Sequence, residues 1–411
     1  AAFRTLPYDD SGVFHILEHS VLCGSEQFPV KEPFVELMKG SLNTFLNALT
    51  YPDKTCYPVS SRNDQDFINL MHVYLDAVFF PRIHEKQEIF QQEGWHYELE
   101  NGVLTRSGVV LNEMKGAFAD PDELLVNAMS RALFPDTPYR FVSGGDPDAI
   151  GSLQYEAFLA AHRRFYHPSN AFLLLDGSVE TDAVFRLLDE YLSQFTAIRP
   201  DTVLAEQAPV CPPRTIEYPI PAGESPERRW KLGRGHVIGT YQDVQTIFAA
   251  QVLCDVLCGS NHAPLCRAIL ERGLAEDVLL GCDDQCMQPV LMLQVQNFRE
   301  ADLPAIEATI RDTLTALCET GLDREQIRAS LASVEFKLRE RDYGTMPRGL
   351  LFALEMLASW IYGGAPEARL CFDEILEALH RGVDTGYYET LLRQMMLENG
   401  HTAQILMQPS A

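Results

Sequence analysis

His15-Ile16-Leu17-Glu18-His19 is the stretch on which the reading of this 411-residue chain turns. On an α-helix, residues four apart stand one above the other, so His15 and His19 present their imidazoles to one point. A helix offers two nitrogen ligands to a zinc ion in this way. Glu18 lies one position before His19, on the edge of the same face. From there its carboxylate can reach a water on the metal without being a ligand. The order H-x-x-E-H inverts the H-E-x-x-H arrangement of zinc-binding helices. Ordinary residue usage produces such a pentapeptide in about one chain of this length per hundred. The bland alternative is a surface helix with two solvated histidines.

The pentapeptide is short of one ligand, because catalytic zinc takes three protein ligands and keeps a fourth position open. Two carboxylates downstream compete. Glu113 sits in Gly108-Val109-Val110-Leu111-Asn112-Glu113-Met114-Lys115-Gly116, which reads as the opening of a helix running toward Asp120. Glu93 sits in Gln91-Gln92-Glu93-Gly94-Trp95, at the end of an acidic helical stretch. Spacing does not separate them. A glutamate inside a helix with apolar neighbours is better held than one beside a glycine, which favours Glu113 and leaves Glu93 open.

Composition bounds the rest. Of the residues, 46% are hydrophobic, enough for sizeable cores in two or three domains. No apolar run approaches the roughly 18–20 residues of a membrane span. The start, Ala1-Ala2-Phe3-Arg4, reads as neither a signal nor a transit peptide. Ten cysteines lack any C-x-x-C pair, and Cys254 and Cys258 share one helix face, so buried reduced thiols and a reducing compartment are expected. The net charge of −25 excludes nucleic-acid binding as the main task. That charge suits basic peptides drawn to an acidic chamber, and equally suits a solubility charge spread over the surface.

Two halves follow along the chain. Residues 1–198 alternate helices with short strands: the His15–His19 helix, a short helix near Pro33–Lys39, strands near Leu42–Leu49 and Thr55–Ser60, and a helix at Asp64–Val78. That last helix carries the stripe Phe67, Leu70, Met71 and Tyr74. The Glu113 helix, a helix near Tyr155–Tyr166, a strand at Ala171–Asp176 and a helix at Thr181–Phe195 complete it. Residues 199–226 hold seven prolines and read as a linker. Residues 227–411 repeat the flavour of the first half without the pentapeptide: a helix at Val244–Leu257, a short one at Ala263–Arg272, strands near Val278–Gly281 and Val290–Asn297, four or five helices, and a strand at Thr402–Met407. Strands interrupted by helix pairs define an α+β fold with helices packed on one side of a sheet. The segment Phe45-Leu46-Asn47-Ala48-Leu49 reads as a short, uncharged strand. As an edge strand it could pair with an extended peptide; read alone, an internal strand is the stronger reading.

The stretch Asp10-Ser11-Gly12-Val13-Phe14-His15-Ile16-Leu17-Glu18-His19-Ser20-Val21-Leu22-Cys23-Gly24-Ser25 resembles the active-site segment of the pitrilysin–insulysin family, the inverzincins. More narrowly it resembles the presequence-protease branch. Phe28-Pro29-Val30-Lys31-Glu32-Pro33-Phe34, Gly40–Ala48, Thr50–Pro58 and Asn112-Glu113-Met114-Lys115-Gly116 agree in order and spacing. The resemblance is dense over residues 3–180 and looser beyond.

It implies two homologous domains, each a mainly antiparallel sheet with helices on one side, the first strand missing at the N-terminus. It implies one zinc ion per chain on His15, His19 and Glu113, with Glu18 as general base for a zinc-bound water. It gives Asn47, Ala48 and Leu49 a substrate-binding role beside the metal. The implied activity is zinc metalloendopeptidase action on unstructured peptides, in a bacterial cytoplasm or, alternatively, a mitochondrial matrix or plastid stroma. That branch has four domains, so an N-terminal half is expected here, closed by a missing C-terminal half that supplies a substrate-binding arginine and tyrosine, or by a partner subunit. Arg341-Asp342-Tyr343 looks like such a pair and is read instead as surface helix. A non-catalytic scaffold of the same fold is the rival, though such proteins typically lose the ligands or base that this chain keeps.

Overall fold

The computed structural model describes residues 1–31, 33–341 and 344–410. The chain divides into two compact units. One comprises Ala1–Asp120, Phe141–Leu204 and Tyr343–Ala353; the other comprises Pro121–Arg140, Ala205–Asp342 and Leu354–Ala411. The fold is α+β.

The first unit is built around the helix Val13–Val21, of which every residue except His19 is buried. Gly12 starts that helix with φ 66°, a left-handed conformation that side chains rarely adopt. A four-stranded antiparallel sheet lies in the same unit, in the order Leu49–Thr50, Lys54–Cys56, Ala2–Arg4, Ala171–Phe172. Ala2–Arg4 is thus an inner strand of that sheet, ahead of the Val13–Val21 helix. Three residues are too few to show a period of two, so pattern reading passes over them. Phe3 anchors the strand, fully buried and stacked on Tyr166 at 4.7 Å between ring centroids. The helix Asp64–Phe79 is capped by Asn63, whose side chain accepts the Asp66 N–H at 3.0 Å, and it buries Leu70, Met71 and Tyr74. The strand expected at Ala171–Asp176 is only Ala171–Phe172.

The expected strand through Phe45–Leu49 is broken. Asn43–Leu46 pairs with Val59–Ser61 in a separate ribbon, and Leu49–Thr50 joins the four-stranded sheet. Between them Asn47 turns the chain: its side chain accepts the Ala48 N–H at 3.0 Å, and its own N–H donates to the Pro58 carbonyl at 3.3 Å.

The second unit holds a five-stranded sheet in the order Asp277–Asp283, Val290–Phe298, Trp230–Val237, Thr402–Ser410, Pro213–Pro219. Only the last pair is parallel. Pro213–Pro219 lies inside the stretch read as a linker; prolines are tolerated there because the strand is an edge. Leu232 in the central strand packs into a core with Ile247, Phe248 and Leu253 of the helix Val244–Cys258. Strand alternation turns Gly233 and Gly235 to the opposite face, and there a helix from the first half of the sequence, Pro121–Leu133, lies on the sheet. A Cβ at Gly233 would come within 2.7 Å of Leu125, and one at Gly235 within 2.5 Å of Met129. Lys231 Nζ meets Asp122 Oδ1 at 2.6 Å across the same face. The division at residue 198 therefore differs from the physical one, since residues 121–140 belong to the second unit.

Asp342 and Tyr343 lie outside the described residues. Arg341 is no surface residue: it closes the helix Arg324–Glu340 with φ 48°, is buried, and places its guanidinium 3.0 Å from Glu355.

Candidate metal centre

His15 and His19 stand on one face of the Val13–Val21 helix, their rings 5.0 Å apart between centroids. Each imidazole is held at its Nδ1. His15 Nδ1 lies 2.9 Å from the Gly144 carbonyl, so it carries the proton and donates. His19 Nδ1 lies 3.3 Å from Glu93 Oε2. Both Nε2 atoms are thereby left facing Glu113, whose Oε2 is 3.8 Å from that of His15 and 3.7 Å from that of His19. One ligand atom from each of the three residues fits within a mutual separation of 4.8 Å. Among the described residues no other set of three histidine, cysteine or acidic side chains is grouped so tightly.

Two close backbone approaches build this geometry. Gly12, at the helix start, leaves no room for a Cβ: one would sit 2.6 Å from the Gly144 carbonyl oxygen that orients His15. Gly108 opens the helix Val109–Ala117 against Gly94, where a Cβ would meet the Gly94 carbonyl at 2.1 Å. That crossing brings Glu93, at the end of the helix Gln87–Glu93, and Glu113 to the same histidine. Within its helix Val110, Leu111 and Met114 are buried and Glu113 points out, with its side chain 54% exposed.

Glu93 is the better-buried carboxylate, 6% exposed, the reverse of what was expected from its glycine neighbour. It serves His19 from behind instead of joining the three-residue set. Burial pushes its pKa up, but the hydrogen bonds from His19 and Gln92 outweigh burial and hold it below the ordinary value. Burial pulls the His19 pKa down, while the hydrogen bond to Glu93 and the charges of Glu18, Glu93 and Glu113 raise it further, for a net rise. Carboxylates on several sides of two imidazoles make a place that stabilises a cation. Glu18 is 8% exposed, and its Oε2 accepts the Thr50 hydroxyl at 2.6 Å. Thr50 lies on the edge strand Leu49–Thr50, so the outer strand of the sheet runs beside Glu18. Of the segment expected to bind substrate, only Leu49 is in that strand; Asn47 and Ala48 form the bend before it. Sequence reasoning missed the Gly144 carbonyl, 129 positions from His15, which carries no side-chain signal. It also missed Thr50, next to Leu49.

A family model described as the peptidase M16 inactive domain matches residues 152–334. Over that stretch the chain is similar to peptidases of the M16 family. Protein HypA of Clostridium perfringens is 43% identical over 412 residues, covering 99% of this chain and 42% of that protein. Presequence protease 1, chloroplastic/mitochondrial, of Arabidopsis thaliana is 41% identical over 430 residues, covering 99% of this chain and 39% of that protein. The chain thus spans about two-fifths of the length of these curated relatives. In fold it is similar to the crystal structure of pitrilysin, with TM-score 0.62 at 15% identity over 100% of this chain and 42% of that one. His15, Glu18, His19 and Glu113 all lie outside residues 152–334. Among the described residues no helix is long and apolar enough to cross a membrane, and all ten cysteines are free thiols.

Proposed function

We propose that this chain carries the catalytic centre of a zinc-dependent endopeptidase acting on unstructured peptides, a reading supported by relatives named presequence proteases. The observation that supports it is the convergence of His15 Nε2, His19 Nε2 and Glu113 Oε2 beside a buried Glu18. The donor set fits the metal: two neutral imidazoles with Nδ1 already engaged, plus one carboxylate, make the His2Glu arrangement of catalytic zinc sites, with His19 backed by a carboxylate. A zinc ion held by His15, His19 and Glu113 supplies Lewis acidity, which makes water nucleophilic at neutral pH and polarises a carbonyl.

The chain's own groups do the rest. Glu18 accepts a proton from the attacking water as its oxygen adds to the scissile carbonyl carbon. Glu18 then returns that proton to the amine nitrogen as the C–N bond breaks, leaving a carboxyl and a free amine. The edge strand Leu49–Thr50 would hold the peptide by main-chain hydrogen bonds, which tolerate many sequences. The bend at Asn47 and Ala48 fixes where that strand begins. The net charge of −25 favours basic peptides. The chamber would be completed by further chain of the parent enzyme or by a partner subunit, in a reducing compartment such as the bacterial cytoplasm or an organelle interior.

The second reading, a non-catalytic scaffold, is favoured by the matched model being that of an inactive domain. It applies to residues 152–334, which exclude the four site residues. Glu18→Gln separates the two readings in the full-length enzyme. Zinc should stay bound while hydrolysis of an unstructured peptide falls by about 10²–10⁴-fold. Loss of zinc together with activity would make Glu18 a ligand. A zinc-loaded parent enzyme without peptidase activity would favour the scaffold.

A further inference from the structure

Three carboxylates surround His15 and His19, and each is chemically able to ligate a metal. What distinguishes them is the partner each already has. Glu93 is engaged with His19 Nδ1 at 3.3 Å and with Gln92 at 2.8 Å. Glu113 leaves its Oε2 to the two Nε2 atoms. Glu18 has one oxygen tied to the Thr50 hydroxyl at 2.6 Å, the length of a charge-assisted O–H···O⁻ bond. Glu18 also sits between the two histidines in sequence, one residue before His19 on the same buried helix.

We infer that Thr50 is a positioning residue that assigns Glu18 its role: by anchoring one carboxylate oxygen it keeps Glu18 a base and prevents it from becoming a fourth metal ligand. This rests on the reading of His15, His19 and Glu113 as the metal site. The hydroxyl comes from a two-residue strand whose inner side pairs with Thr55 and Cys56 and whose outer side is the sheet edge. One residue thereby fixes the base and belongs to the strand a substrate would pair with, so the distance from base to scissile bond is set by a single element. The requirement is for a hydroxyl. Serine preserves it; valine keeps the shape and removes it. Leaving a mostly buried carboxylate with one oxygen unanchored gives it every reason to turn to the metal.

The test uses the purified 411-residue chain, stripped of metal and loaded with Co²⁺, whose visible absorption reports coordination number and whose open position takes azide. Wild type, Thr50→Ser and Glu18→Gln should share one spectrum and one response to azide. Thr50→Val, and Thr50→Ala as a second route should valine disturb the strand, should show an altered spectrum and lose the azide response, because the carboxylate fills the open position. Adding Glu18→Gln to either variant should bring the wild-type spectrum back. In the full-length enzyme Thr50→Val should lower kcat at least tenfold with KM little changed, and Thr50→Ser should restore it. A Thr50→Val chain with bound Co²⁺, a wild-type spectrum and an intact azide response overturns the inference. So does an altered spectrum that Glu18→Gln fails to restore, since the change would then not pass through Glu18. A wild-type chain that binds no Co²⁺ instead overturns the metal reading itself, a distinct result.

Discussion

Each unit of this protein lays a largely buried helix among the other elements of its core, and the two helices carry different loads. Val244–Cys258 in the second unit buries Ile247, Phe248, Val252, Leu253, Val256 and Leu257, hydrocarbon that needs only close packing. Val13–Val21 in the first unit buries Phe14, Ile16, Leu17 and Val21, and also His15 and Glu18, each 8% exposed. Every buried polar group without a partner costs about 1–3 kcal/mol, so the Val13–Val21 helix needs partners that the hydrocarbon of Val244–Cys258 does not. The Gly144 carbonyl partners His15, Thr50 partners Glu18, and Glu93 partners the less buried His19, so the helix draws on three separate elements. A fold meets such a demand where the polar groups have work to do.

The largest test of this contrast concerns the second unit's independence. Its sheet is covered on one face by residues 121–140, which the sequence delivers from the first half. A fragment of residues 205–411 alone should therefore show no cooperative thermal transition, and fusing residues 121–140 to it should restore one. A fragment that melts cooperatively without that helix would make the two units separable at the proline-rich stretch.

Next in size is a pair of glycines. At Gly12 an added Cβ meets backbone, 2.6 Å from the Gly144 carbonyl, at a positive φ; at Gly233 it meets the flexible end of Leu125 at 2.7 Å. Gly12→Ala should cost about 3 kcal/mol of stability and loosen metal binding, because it displaces the acceptor of His15. Gly233→Ala should cost about 1 kcal/mol and leave the metal site untouched. Equal losses in denaturant titrations would mean that backbone closeness at the site carries no special constraint.

Acid should act on both units alike. Burial pulls His162 in the first unit down to about 3 and His236 in the second down to about 4, both from 6.5. Each is neutral when folded and takes up a proton when unfolded, so the folded state loses ground as pH falls below 6.5. The loss is complete near 3 and near 4 respectively. At pH 5 it amounts to about 2 kcal/mol for each residue. Thermal midpoints measured from pH 7 to 5 should fall, and His162→Gln should flatten the slope. A midpoint independent of pH in that window would contradict the neutral burial of both rings.

Much of this was legible in the residues. The helix at Asp64–Phe79 follows from its apolar stripe, and the grouping of His15 with His19 follows from a four-residue spacing. The α+β class follows from strands broken by helix pairs. What escaped has physical causes. Ala2–Arg4 and Leu49–Thr50 are too short for strand periodicity to register. Pro121–Leu133 stands out by no motif of its own, and only the pair of glycines in the Trp230–Val237 strand hints at the sheet that receives it. Proline density hid Pro213–Pro219, because prolines at the ends of an edge strand look like those of a linker. For the third ligand, the expectation that Glu113 is the better-held carboxylate does not match the exposures: Glu113 is half-exposed and Glu93 is buried. A ligand has to face the metal, while the carboxylate that steadies a ligand can be packed behind it.

That distinction leads to the most direct measurement, zinc content after dialysis against a graded chelator. The wild-type chain and Glu18→Gln should hold one zinc per chain. His15→Ala, His19→Ala and Glu113→Gln should lose it, and Glu93→Gln should keep it with affinity weakened by about 10–100-fold. A Glu113→Gln chain that retains full zinc while Glu93→Gln is empty would contradict the account of this centre.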